Sequence, residues 1–317
     1  MSSDANLTSA VSSLTLVGLA QLYEHRWHFF LMFSTCYVFM LFADILIVYI
    51  ICSQPRFRRP MFVFVAAVLI NSLAGSLAFY PKLLSDLASG QRFVEISRIA
   101  CLGQAFVVFS VGGSSFMLLS AMAFDRYLSI CRPLHYSTLM TPLMVGGLLL
   151  LCWLLPMCVV GGAVLLASRV PLCGSQVSRI YCDIYSFVFI SCPGRAAMLM
   201  QAYGLLGGAV TVLAPVLFVL FSYSRILFIS MRGTKGLNLR SLNTCIPHLL
   251  VFTNYAVSTG VELLQRRLQT GGETNQILAS VLIFLIPNLC NPIVYGLKMK
   301  DVYTQVKRLK ETTNIKN

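Results

Sequence analysis

The sequence predicts an all-α membrane protein, a seven-transmembrane helix bundle with an extracellular N-terminus and a short amphipathic helix after the seventh span. Three observations predict it. Of the 317 residues, 57% are hydrophobic and 11% charged, where a soluble chain carries about 25% charged residues. The apolar residues gather into seven runs, each near the roughly 20 residues that an α-helix needs to cross the hydrocarbon core. Cationic residues gather on one side: with the N-terminus outside, fifteen of the 24 Lys and Arg fall in inner loops and tail, while acids lean outward. That asymmetry orients the chain. The net charge of +13 is therefore mostly a cytoplasmic-face charge, suited to anionic inner-leaflet lipid. Nucleic acid is not the partner it implies.

In chain order, residues 1–28 form a polar extracellular N-terminus with Asp4 and Glu24. They lack the basic start and short apolar segment of a cleavable signal peptide, so the first span serves as its own insertion signal. Asn6-Leu7-Thr8 is a glycosylation sequon, usable only if this end reaches the lumen. The bundle proper is expected over 29–297, with spans at 29–52, 61–80, 99–124, 143–167, 196–221, 245–264 and 277–297. Asn71 makes the second run less apolar, and His248 and Asn254 do the same to the sixth. Arg56, Arg58 and Arg59 follow the first span on the inner side. Most connections are short. The exception, outer loop 168–195, carries three cysteines, two prolines and two glycines, and a loop of that length is a plausible lid over a ligand site. In the cytoplasmic tail, 298–317, Val302, Val306 and Leu309 recur at helical spacing among lysines and arginines. Such a segment lies on a membrane surface.

Eleven cysteines leave at least one unpaired. Cys101, Cys173, Cys182 and Cys192 are the four on the outer side, where disulfides persist. Three pairings of these four are open, and composition does not choose among them.

Two motifs carry chemistry. Asp125-Arg126-Tyr127 closes the third span. At the bilayer edge an unpaired charge is costly, so Asp125 and Arg126 pair, and opening the pair frees Arg126 toward a partner. A simple interfacial ion pair is the plainer alternative. Asn291-Pro292-Ile293-Val294-Tyr295 closes the seventh span. Pro292 removes a backbone hydrogen bond and kinks the helix, Asn291 can satisfy a freed backbone group, and Tyr295 follows one turn on. A prolyl kink without further role is the alternative there.

Taken together, and in this order along the chain, the two motifs resemble the rhodopsin-like G-protein-coupled receptors. The resemblance covers nearly the whole chain, with Cys101, Trp153 and Pro215 eight residues before Tyr223 as further landmarks. A narrower likeness, to odorant receptors, rests on Pro60-Met61-Phe62, the stretch from Met122 to Tyr136, Ser222-Tyr223, and Asn243-Thr244-Cys245-Ile246-Pro247-His248-Leu249. The Cys-Ile-Pro-His form and Asn71-Ser72 look like the fish-type subgroup. The resemblance implies disulfides Cys101–Cys182 and Cys173–Cys192. It also implies a small-molecule odorant as ligand, a heterotrimeric G protein as partner with a stimulatory cyclic-AMP output, and a place in the plasma membrane of sensory cilia. Asp125, Arg126, Tyr127, Tyr223, Asn291, Pro292 and Tyr295 would form the coupling switch. No enzyme activity and no cofactor is implied.

The chain departs from the family at two positions. The family usually has Asn in the first span, where this chain has Asp44, and Asp in the second, where it has Asn71-Ser72. A buried carboxylate is expensive and functional by default. Asp44 is read either as a sodium or proton site or as a neutral, hydrogen-bonded acid.

A ligand is expected in the outer half of the bundle. Counting back from Arg126, the third span offers Gln104, Val108, Phe109, Gly112 and Gly113; the fifth offers Tyr203, Gly207 and Thr211; the sixth offers Tyr255 and Glu262. The glycine pair either opens volume for a ligand or allows close helix packing. Glu262 either meets ligand or pairs on an exposed face with Arg266 four residues on. These residues give a mostly apolar site with few polar anchors and no metal-ligand cluster.

Other classes fit less well. A transporter would show repeats and midplane ion ligands, and only Asp44 fits. An intramembrane enzyme would need a nucleophile with its base, and His248 stands alone. Amine receptors place Asp where this chain has Val108.

Overall fold

The computed structural model describes residues 11–232, 235–268, 273–298 and Thr304, with side chains described outside 232–244, 266–279 and 297–298. Seven long helices form the body: α1 Arg26–Ser53, α2 Pro60–Ser89, α3 Arg98–Cys131, α5 Pro142–Arg169, a fifth built from α7 Arg195–Gly208 and α8 Ala214–Arg232 around a π turn at Ala209–Leu213, then α9 Lys235–Leu268 and α10 Glu273–Lys298. Two short helices lie between them, α4 Pro133–Leu139 on the inner side and α6 Ile184–Ile190 in the outer loop. At about 1.5 Å per residue, even the 26 residues of α10 exceed the roughly 30 Å hydrocarbon core. Among the described residues, α1, α2, α3, α5 and the α7–α8 helix are long and apolar enough to cross a membrane. The expected tail helix at 298–310 and the sequon at Asn6 lie outside the described residues.

Local chemistry sets the ends. Ser97 caps α3 by accepting from the Ala100 N–H, and Thr141 caps α5 by accepting from the Met144 N–H, which satisfies donors that a helix start leaves open. Pro60 and Pro142 occupy first-turn positions, where a missing N–H costs nothing. Gly90 ends α2 at φ 68°, a left-handed conformation that glycine adopts without strain. The helices outrun the apolar runs that announced them. α2 continues past residue 80 through Lys82 and Asp86, an i,i+4 ion pair, because backbone hydrogen bonding continues into the interfacial region.

Large apolar side chains such as Phe42, Leu143, Leu165 and Leu206 stand on the outside. A soluble monomer rarely exposes a contiguous apolar surface of that extent, and here it faces lipid. Inside are two main cores. The inner one packs Ile47, Phe64, Leu118, Tyr223, Val251 and Tyr295. The outer one packs Phe33, Phe79, Tyr80, Cys182 and Phe187 together with Leu14 and Leu16 of the N-terminal segment.

Those two leucines belong to an element the sequence reading had left as polar N-terminus. β1, Ser13–Leu16, pairs antiparallel with β2, Val94–Ser97, and parallel with β3, Gln176–Val177. The signal was short but present: Leu14 and Leu16 alternate with Ser13 and Thr15, and Val94 and Ile96 alternate with Glu95 and Ser97. Period-two alternation marks a half-buried strand. The sheet ties the N-terminal segment to the α2–α3 loop and to the outer loop after α5.

Candidate functional site at the two ends of the bundle

At the inner end of α3, Asp125 is fully buried. Its Oδ2 accepts from Arg126 Nε at 3.1 Å and Nη2 at 2.5 Å, and its Oδ1 accepts from the Tyr136 hydroxyl of α4 at 2.7 Å. Burial, then Asp125's hydrogen bond and charge, push the Tyr136 phenol above its ordinary range, so it stays a donor. Tyr136 closes the Met122–Tyr136 stretch singled out from sequence, where spacing alone gives it no role. Arg126 borders a small void shared with Met61, Met122, His248 and Tyr295, so α2, α3, α9 and α10 meet beside it. Tyr127 packs against the inner core.

His248 is the second residue the sequence reading undervalued, because its partners lie far along the chain. Its Nε2 is 2.8 Å from the Leu119 carbonyl of α3, and its Nδ1 hydrogen bonds the Tyr223 hydroxyl of α8. A carbonyl only accepts, so Nε2 donates to it. One imidazole thus joins the third, fifth and sixth spans. Tyr295 is buried with its hydroxyl toward the Met122 sulfur at 3.9 Å. Asn291 donates to the Tyr255 hydroxyl at 3.0 Å, while its Oδ1 has no hydrogen-bond partner among the described residues.

Asp44 is 1% exposed, and neither of its carboxylate oxygens has a hydrogen-bond partner among the described residues. The adjacent Ser72 donates instead to Asn288 Oδ1 at 3.2 Å. Asn71 donates to the Val111 carbonyl and to Ser115 of α3. The midplane therefore holds a polar cluster with unsatisfied acceptors on both Asp44 and Asn291.

In the outer half the structure separates the expected ligand residues into two sets. Gln104 bridges neighbours: its Nε2 donates to the Ala78 carbonyl and its Oε1 accepts from the Cys182 N–H at 3.0 Å. Val108 packs against the outer core, Phe109 faces Tyr185 of α6 at 6.0 Å, and Gly112 has open space where a Cβ would stand. Tyr255 of α9 sets its ring against Phe116. The other set lies in helix seams. A Cβ on Gly113 would meet Pro156 at 3.0 Å and Thr211 at 3.4 Å, and one on Gly207 would meet Val159 at 2.8 Å. Tyr203 donates to the Val159 carbonyl and covers Gly162, and Thr211 donates to the Gly207 carbonyl across the π turn. Gly112 and Gly113 are neighbours in sequence, but about 100° of helix rotation turns one to open space and the other to α5.

Glu262 is corrected. It is 2% exposed, and its Oε1 accepts from Arg179 Nη1 of the outer loop at 3.0 Å. This buried bridge replaces one of the two readings from sequence, the exposed pair with Arg266, whose side chain lies outside the described residues; contact with ligand is the other reading. Arg179 was not singled out, since nothing local marks a loop arginine as buried. The loop itself is held by disulfides Cys101–Cys182 and Cys173–Cys192. The other cysteines form no disulfide among the described residues.

A family model described as olfactory receptor matches residues 33–312. Olfactory receptor 6N1 of Homo sapiens is 30% identical over 96% of this chain and 97% of its own length. Olfactory receptor 11A1 of Homo sapiens is 29% identical over 94% of both, and olfactory receptor 6Z7 of Mus musculus is 30% identical over 96% of both.

Proposed function

Because this chain belongs to the olfactory receptor family, whose members are receptors and not enzymes, we propose that it binds a small odorant in the outer half of the bundle and activates a heterotrimeric G protein at the inner face. The stimulatory, cyclic-AMP-raising class of G protein is the expected partner, and the ciliary plasma membrane of a sensory neuron the expected place. Residues 1–28 would then face outside, 29–297 would span the membrane, and 298–317 would lie in the cytoplasm. Lipid, not nucleic acid, meets the basic inner rim. The ligand would lie against Gln104, Val108, Phe109, Gly112 and Tyr255, below the Glu262 bridge. Gly113, Tyr203, Gly207 and Thr211 would set the helix spacing around it.

The observation that carries this reading is the Asp125–Arg126 pair. Its carboxylate is buried and doubly bound, and its guanidinium borders a void against α9 and α10. An exchangeable pair beside space for the freed side chain suits a charge-based switch. The test is Arg126→Ala in cells with a cyclic-AMP reporter and an odorant mixture. Surface level should hold while the ligand-stimulated response disappears; a normal response at normal surface level sinks the reading.

At the midplane, Asp44 is proposed to hold sodium or a proton. Its two unpartnered oxygens and that of Asn291 support this. Sodium titration should shift signalling in the parent and leave Asp44→Asn unmoved; equal shifts in both exclude the cation.

A further inference from the structure

Arg179 lies on the outer loop, three residues before Cys182, and the proposed ligand site and switch do not account for it. Although charged, it is 6% exposed. Its Nη1 donates to Glu262 of α9 at 3.0 Å and to Ser280 of α10 at 3.1 Å, and its Nε lies 3.8 Å from Asp183 of its own loop. Tyr181, also on the loop, points its hydroxyl at Glu262 from 3.5 Å and sets its ring against Phe79 of α2 and Phe284 of α10. One loop segment thus reaches into two helices that follow it by some 80 to 100 residues.

The backbone carrying these side chains has little freedom. Cys182 is bonded to Cys101 of α3 and donates its N–H to Gln104. From above, Gly18 of the N-terminal segment presses on the loop, where an added Cβ would stand 2.5 Å from the Arg179 carbonyl carbon. Glycine is the residue that this approach requires. The loop's anchors to α3 and the N-terminus are therefore covalent or sterically tight. Its polar anchor to α9 and α10 consists of hydrogen bonds and an ion pair, which can open without breaking a covalent bond. A buried pair of this kind contributes little to net stability but leaves a costly uncompensated charge when one partner is removed. Its best-attested use is to specify one arrangement over another.

We propose that the Arg179–Glu262 bridge is a latch through which the outer cap holds α9 and α10 in their resting arrangement, so that opening it couples the ligand site to the inner switch. The proposal rests on the receptor reading above. The bridge spans the mouth of the proposed site, one turn and three residues above Tyr255 on the same helix. Tyr255 in turn accepts from Asn291 of α10, beside the Asp44 cluster and above Tyr295. A displacement of Glu262 is thereby passed down two helices toward Arg126.

The test uses the full-length receptor with no ligand added. Arg179→Gln, Glu262→Gln and the double variant are compared for basal cyclic AMP at matched surface level, with an odorant mixture as control. Each single variant should raise basal signalling on the order of fivefold or more, the lower end of typical coupling between sites. The double should fall short of the product of the two singles, because both break the shared Arg179–Glu262 pair. Unchanged basal signalling at matched surface level overturns the latch, as does a double effect equal to the product of the two singles. If a variant reaches the surface poorly, thermal unfolding of the detergent-solubilised protein gives the same cycle without signalling, and an additive cycle again overturns it. A parent receptor that answers the odorant mixture while the variants leave basal output flat disproves the latch alone. A parent that answers no odorant and whose basal output is unchanged by Arg126→Ala disproves the receptor reading beneath it.

Discussion

The outer and inner ends of this bundle are held together by different kinds of bond. Outside, two disulfides, a three-stranded sheet and a steric contact at Gly18 fix the loop to α3 and to the N-terminus. Inside, the helices meet through one carboxylate, one imidazole, two tyrosines and an arginine. The outer bonds do not exchange on the timescale of a signal; the inner ones do. On the proposed reading, the outer end keeps a shape and the inner end changes one. Through the Arg179–Glu262 bridge an exchangeable contact joins that fixed loop to α9 and α10.

The largest effect should come from breaking the fixed end. Cys182→Ser removes a bridge that closes a loop of 81 residues, and losing a native disulfide typically costs about 2–5 kcal/mol. Surface delivery, read by antibody to an N-terminal tag, should collapse. Cys173→Ser opens a loop of only 19 residues and should do less harm. Equal harm from both would show that chain entropy does not rank the two bridges.

Next come the paired glycines. Gly113→Leu drives a side chain into Pro156 and Thr211, and overpacking costs about 1–3 kcal/mol. Surface level should fall and every agonist should weaken alike. Gly112→Leu enters open space, so surface level should hold while larger agonists lose potency more than smaller ones. Reversal of this order in a dose–response series would move the ligand away from Gly112.

At the exchangeable end the effects should be smaller and should appear in signalling. Tyr136→Phe removes one hydrogen bond to a buried carboxylate, a loss of about 1.5–3 kcal/mol that falls on the closed state of the switch. Basal cyclic AMP should rise at unchanged surface level. The phenol is pushed above its ordinary value of 10.0. A raised folded-state value means that the contribution is whole below that pH and is lost only as pH rises through the raised value. The gap between parent and variant should therefore not change between mildly acidic and mildly alkaline medium. A gap that closes on mild alkalinisation would show that another group controls Asp125.

The seven spans were legible because lipid imposes one requirement on every residue of a run, and a run of 20 is hard to mistake. The Asp-Arg-Tyr and Asn-Pro-x-x-Tyr motifs were legible because their members are neighbours. Tyr136, His248 and Arg179 were not, since each acts on a residue that the fold brings near: Asp125 eleven positions away, Leu119 more than a hundred, Glu262 eighty-three. Gly112 and Gly113 mark the finer limit, for spacing places both on α3 but not which of the two meets Pro156. The short strand at Ser13–Leu16 escaped because four residues of alternation are weak evidence until a partner strand is known.

That strand also constrains the order in which the protein can be made. β1 has two partners, one near residue 95 and one at Gln176–Val177. When the N-terminal segment has crossed the membrane, neither exists yet outside. The antiparallel partner arrives only after the second span is inserted, and the parallel one only after the fourth. Through that interval the segment around Leu14 and Leu16 lacks the strands that it pairs with. Closure of the sheet then sets Gly18 against Arg179, and this contact marks that the first four spans have been inserted in their correct orientation.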